Sequence, residues 1–202
     1  IKTEFGPSIS KGIALKKLNI KASKTILFFG LIRDYKGLDI LIKACEKLMK
    51  NDDACKLIIA GECYQNKNKY LTLIKDLKLS NRIVWFDEYI DDKKVNLFFS
   101  ACDLVVLPYT KSSQSGIIPI AYNYNKLVVA SDIDGLKEFV ENNKTGYLFR
   151  PNRYDSLYTL LNNIFKNHDF LKSENFIKKY KQNFSLDKLY TKIISFIEYD
   201  KS

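Results

Sequence analysis

Thr25-Ile-Leu-Phe-Phe-Gly-Leu-Ile-Arg-Asp-Tyr-Lys-Gly-Leu-Asp39 begins as an unbroken apolar run, crosses a loop with glycine at both ends, Gly30 and Gly37, and enters a segment of different period. From Leu38 onward, Leu41, Ile42, Cys45, Leu48 and Met49 recur at helical spacing and give one buried stripe. A strand that is apolar at every position has no wet face, so 25–30 predicts a parallel strand covered on both sides. The same grammar recurs at 56–61, 82–86, 103–108, 127–131 and, more briefly, 146–149, with helix-period segments at 70–77, 92–100 and 116–125. Strand, helix, strand at this spacing implies right-handed βαβ units, hence an α/β fold with a Rossmann-like, doubly wound parallel sheet. Beyond residue 150 the pattern turns helical over 155–166, 170–182 and 185–199, and 9–18 predicts one amphipathic helix ahead of the first strand. The expected organisation is a basic leader over 1–24, a Rossmann-like core over 25–150, and C-terminal helices over 151–202 that pack on the same domain.

Composition narrows the function. The 202 residues are 46% hydrophobic and 13% aromatic, enough for a substantial core, and they contain no apolar run of membrane-spanning length. The four cysteines, Cys45, Cys55, Cys63 and Cys102, fit neither a metal knuckle nor a disulfide framework, and His168 is the single histidine. A His-based triad or multi-His metal site would lack its usual ligand; the expected compartment is cytoplasmic. The net charge of +10 invites nucleic acid, but residues 1–24 hold six Lys against one Glu, and only four of the 33 basic residues are Arg. Recognition of bases and phosphates favours Arg forks, so the charge reads as a solvated lysine surface and nucleic acid is not expected as a partner. The chain begins with Ile1, which leads us to expect a piece of a longer protein.

In an open parallel sheet, ligands bind outside the carboxyl ends of the strands. The loop after the first strand carries Gly30, where backbone can approach a ligand, and two cations, Arg33 and Lys36, beside a helix start. That set suits a diphosphate. The loop after the fourth strand, Tyr109-Thr-Lys-Ser-Ser-Gln-Ser-Gly-Ile-Ile-Pro119, offers Ser112, Ser113 and Ser115 as helix caps and Gly116 at the helix start.

Taken in order, Phe28-Phe-Gly-Leu-Ile-Arg-Asp-Tyr-Lys-Gly-Leu-Asp39, Leu57-Ile-Ile-Ala-Gly-Glu62, Ala101-Cys-Asp-Leu-Val-Val-Leu-Pro-Tyr109, Gln114-Ser-Gly-Ile-Ile-Pro-Ile-Ala121, Gly135-Leu-Lys-Glu-Phe-Val140 and Lys144-Thr-Gly146 resemble the C-terminal, donor-binding half of a retaining group 1 (family 4) glycosyltransferase of the GT-B class. The resemblance implies a UDP- or GDP-sugar donor with no further cofactor, and a glycan or lipid-linked acceptor of bacterial envelope polysaccharide synthesis. It implies an acceptor-binding domain ahead of this one, and a location in the cytoplasm or at the inner face of the membrane. By position, Arg33 and Lys36 match the pair that neutralises the donor diphosphate, and Gly30 matches the glycine of close backbone approach. Tyr89 and Ile90 fall where the family's backbone reads the nucleobase, and Gln114, Ser115, Gly116 and Ile117 fall at the helix start facing phosphates and ribose. The family usually has two glutamates around this helix, one near the sugar and one on the ribose. Here Ser112 and Ile120 stand in those places, as in a branch that carries a Gln-Ser-Gly-Ile-Ile-Pro type sequence.

Three rival readings remain to be weighed. Asp132-Ile-Asp134 has the Asp-x-Asp form that holds a divalent cation in the other glycosyltransferase class, but it directly follows a buried strand, and no metal is expected. Glu138 matches a family glutamate yet reads as a solvated residue at a helix. A non-catalytic interaction module, whose basic leader meets a partner or anionic lipid, and a GT-B-type sugar epimerase are the alternatives to a transferase.

Overall fold

The computed structural model describes residues 5–50, 52–64 and 66–181. Six strands, β1 (Lys24–Phe29), β2 (Cys55–Ala60), β3 (Ile83–Phe86), β4 (Leu104–Leu107), β5 (Leu127–Ser131) and β6 (Gly146–Phe149), form one sheet in the order β3-β2-β1-β4-β5-β6. Every pairing is parallel, with Phe28 beside Ile59 and Val105 beside Val128 as examples of the register. Strand order reverses between β1 and β4, so the crevice at the carboxyl ends of these two strands is the topological switch point.

The continuous apolar runs have the cause expected of them. In β1, Ile26 and Phe28 enter one core while Leu27 enters the other; in β4, Leu104 and Val106 divide from Val105 and Leu107 in the same way. Helices α2 (Leu38–Met49), α3 (Lys67–Asp76) and α7 (Tyr154–Asn167) cover the first face, and α1 (Lys11–Lys17), α4 (Asp92–Ala101), α5 (Ile117–Asn123) and the short α6 (Asp134–Lys137) cover the second. Helix α8 (Asp169–Lys181) buries Ile177 in the second core and sets Tyr180 edge-on to Tyr122, 5.6 Å between ring centres. The helix expected over 185–199 lies outside the described residues.

Boundaries depart from the sequence reading where helix ends are polar. Helix α3 starts at Lys67 rather than near 70, because its first turn, Lys67-Asn-Lys69, carries no apolar residue to reveal the period. Helix α1 is shorter than 9–18: Ser10 caps it by accepting the Ile13 N–H. The leader is joined to the sheet through Asp103, whose carboxylate accepts Lys11 Nζ at 2.6 Å and the Thr25 N–H at 2.7 Å.

Candidate functional site

Two loops meet at the switch point because glycine and a carbonyl let them. Gly37 ends the loop after β1 at φ +66°, and a Cβ there would lie 2.0 Å from the Pro108 carbonyl oxygen at the end of β4. Only glycine permits that approach. The Tyr35 carbonyl then accepts the Thr110 N–H at 2.7 Å and the Thr110 hydroxyl at 3.2 Å, stitching one loop to the other. From below, α6 presents Gly135, where a Cβ would sit 2.2 Å from the Ser112 carbonyl oxygen, so the serine loop rests directly on helix backbone.

Lys36 is carried back over the end of β1 by the 3-10 turn Asp34–Lys36. Its ammonium lies 3.3 Å from where a Cβ of Gly30 would be, and Ile117 Cδ1 lies 3.6 Å from the same point. Gly30, at φ +95°, Lys36 and Ile117 therefore converge, one strand end and two loops around one point. Lys36 Nζ also stands 5.7 Å from the centre of the Tyr109 ring. Burial, then the nearby Arg33 guanidinium, pull the Lys36 ammonium down to about 8. Asp34 does not relieve this, since its carboxylate is ion-paired to Lys69 and accepts the Tyr70 hydroxyl at 3.3 Å. The hydrogen bond from Lys69 holds the Asp34 carboxyl below the usual range. Arg33 is exposed and borders an open groove of about 430 Å³ with Asp34, Tyr35, Thr110 and Lys111.

A second groove, about 190 Å³, has Gly30 in its lining. Phe5, Tyr89, Ile90 and Ile120 supply much of its apolar wall, and Glu62 and Asp92 are its two carboxylates. Gly61 makes its floor possible: at φ +145° its missing Cβ would fall 2.2 Å from the Gly30 carbonyl oxygen, so the ends of β1 and β2 touch backbone to backbone.

The serine loop corrects the capping expectation. Ser115 Oγ accepts the Ile117 N–H at 3.3 Å, but Ser112 Oγ is turned onto the Gln114 carbonyl at 2.7 Å and does not cap α5. Gly116 occupies the cap position without a side-chain bond, and α5 is only seven residues long, so the two cations rather than a helix dipole supply the positive field here. Gln114 and Gly116 are exposed, and neither lines either groove. Burial pushes the Tyr109 phenol up to about 12, against the pull of the adjacent Ser115 hydroxyl. Asp134 pairs with Lys137 at 2.6 Å, and among the described residues no cluster of three or more His, Cys, Asp and Glu side chains is placed to hold a metal. Glu138 is exposed at the end of α6, and His168 closes α7 in the left-handed conformation at φ 54°. Sequence reading missed Phe5, Gly61, Glu62 and Gly135. The Ala-Gly-Glu at the end of β2 was the available signal for two of them.

This Rossmann-like fold is one found in solved glycosyltransferases. It superposes on the C-terminal domain of a group 1 family glycosyl transferase from Francisella tularensis (TM-score 0.82, 19% identity, 92% of this chain and 99% of that one). It also matches Anabaena HepE solved with UDP and glucose (TM-score 0.74, 20% identity, 95% of this chain and 55% of that one). The family profile "Glycosyl transferases group 1" matches residues 11–183, and the chain belongs to that family. Among curated relatives, a GDP-mannose:glycolipid 4-beta-D-mannosyltransferase of Xanthomonas campestris is 28% identical over 127 residues, 61% of this chain and 35% of its own. A D-inositol 3-phosphate glycosyltransferase of Nocardia farcinica is 27% identical over 156 residues, 73% of this chain and 34% of its own. The chain thus spans about a third of the length of the curated relatives it matches. No described helix is long and apolar enough to cross a membrane.

Proposed function

We propose that this chain is the donor-binding part of a glycosyltransferase that takes a UDP- or GDP-sugar and passes the sugar, with retention, to a glycan or lipid-linked acceptor held by a preceding domain. The observation that carries the reading is the Lys36 ammonium, half-buried beside Gly30 at the switch point with Arg33 close by and, among the described residues, no ion pair to either cation. A half-buried lysine depressed by its surroundings is a site built for an anion that arrives later. A diphosphate placed there gains negative charge as the sugar departs, and Lys36 and Arg33 stabilise that charge most when it is fully developed. The relative named for GDP-mannose and the neighbour solved with UDP support a nucleoside diphosphate ligand. The serine loop, Ser115 and Ile117 in particular, closes the phosphate side, and Tyr89 and Ile90 face the base. Contact with the inner face of a membrane is part of the same proposal, through the acceptor.

Titration of the chain with UDP, GDP and ADP, with and without Mg²⁺, tests it. One nucleotide binds without metal, and binding is lost in an Arg33→Ala/Lys36→Ala double variant. The purified chain gives little or no turnover, since the acceptor side of the site is not in it. Ile120, apolar where the family usually has its ribose glutamate, is the observation that favours a non-catalytic module instead. Failure of all three nucleotides to bind would install that second reading.

A further inference from the structure

The leader does more than precede the sheet. Its first described residues run across α4 and the end of α5 and are tied down at four points. The Tyr124 hydroxyl reaches the carbonyls of Phe5 and Gly6, at 3.0 and 2.8 Å. Asn96 Nδ2 donates to the Pro7 carbonyl at 3.1 Å, and the Ile9 N–H donates to Ser100 Oγ at 3.1 Å. At φ +77°, Gly6 turns the chain, and Phe5 beyond it lines the smaller groove with Tyr89, Ile90 and Ile120 while packing on the second core.

The chemistry of that groove separates it from its neighbour. Its wall is mainly apolar and aromatic, and its charged members are the carboxylates Glu62 and Asp92, which repel phosphate. The Lys36 ammonium lies close to Gly30, which lines this groove, and Arg33 lines the larger one. A ligand with a flat, uncharged, hydrogen-bonding end and an anionic end can enter in one direction only, nucleoside into the smaller groove and diphosphate towards the lysine. Aromatic faces suit the flat end whatever the base.

On the donor reading above, we propose that Phe5 is a wall of the nucleoside subsite, so that the leader is part of the donor site and sets affinity for the nucleoside without touching the phosphates. The test is calorimetric titration of wild type, Phe5→Ala, Phe5→Trp and Tyr124→Phe with UDP, GDP and inorganic pyrophosphate, each variant checked for an unchanged thermal midpoint. Phe5→Ala weakens the nucleoside diphosphate about five- to 150-fold, the range of an aromatic face removed from a base, and leaves pyrophosphate within about twofold. Phe5→Trp stays within about threefold of wild type, and Tyr124→Phe, which loosens the tether, falls between. Wild-type affinity in Phe5→Ala, or equal losses for nucleotide and pyrophosphate, overturns the assignment while the donor reading stands. If wild type binds pyrophosphate but no nucleotide, the nucleoside subsite and the donor reading both fall.

Discussion

Raising the pH should loosen the donor well before any ordinary lysine titrates. Lys36 sits at about 8, held there by partial burial and by Arg33, against a starting value of 10.5. A bound diphosphate supplies the missing counter-charge and raises that value, so the complex holds a proton that the free protein has begun to lose. Affinity is therefore level below pH 8 and falls above it, by up to about tenfold per unit. At pH 9 roughly one Lys36 in eleven is still protonated in the free chain, and affinity is about tenfold below its neutral value. A lysine left at its ordinary value would give a change of only a few per cent. The assay is calorimetric titration with UDP-glucose and GDP-mannose between pH 6.5 and 9.5, in buffers of different ionisation enthalpy, so that proton uptake is read directly. A diphosphate diester keeps its charge through this range. Ionisation of the nucleobase itself appears equally in a Lys36→Arg variant, whose guanidinium does not titrate, and cancels in the comparison. A wild-type affinity that is flat from pH 7 to 9.5, or a fall of the same size in Lys36→Arg, would refute the argument that Lys36 holds the diphosphate.

The same lysine predicts a trade between stability and binding. Since its folded value lies below its unfolded one, charged Lys36 destabilises the fold fully below pH 8, and the chain gains stability as pH rises from about 8 towards 10.5. Lys36→Met should raise the unfolding free energy by about 1–3 kcal/mol at pH 7, measured in urea, while abolishing donor binding; an unchanged or lower midpoint counts against the buried charge. Gly61→Ala places a Cβ 2.2 Å from the Gly30 carbonyl at φ +145°, and is expected to cost at least about 3 kcal/mol and to weaken donor binding together with stability. A variant as stable as wild type would mean that β1 and β2 do not meet there as described. Asp103→Ala removes the acceptor of both Lys11 and the Thr25 N–H and should cost about 2–4 kcal/mol, with earlier proteolytic cleavage in residues 1–24 as the visible sign that the leader has come free.

The six strands were legible because each is apolar at consecutive positions, and the structure divides those positions between two cores, Ile26 and Phe28 on one side and Leu27 on the other. Helix α2 was legible to the residue, Leu38 to Met49, because its stripe starts and ends on buried side chains. Where a helix begins on polar residues, as α3 does at Lys67, periodicity carried no mark of the start. Within the candidate site, Gly30, Lys36 and Ile117 meet, and Tyr89 and Ile90 line a groove that includes Gly30. Gln114 is on the surface, since a side chain in a loop has no period to say which way it points.

The sequence by itself determined the α/β class, the order of strands and helices along the chain and the two loops bearing glycine, cations and serines, because these are local properties of period, turn chemistry and charge. It also carried the family, through several motifs in register. Tertiary structure alone decided which distant backbones touch: Gly37 against Pro108, Gly61 against Gly30, Gly135 against Ser112, each a glycine whose reason is an atom tens of residues away. It decided that Lys36 is half-buried at the end of β1 while Asp34, two residues before it, is turned to Lys69, so that among the described residues one of these loop charges has no ion pair and the other is a strut. And it brought Phe5 to a groove whose other walls begin at residue 29, a contact set by how the leader crosses α4 and the end of α5 rather than by anything in its own composition.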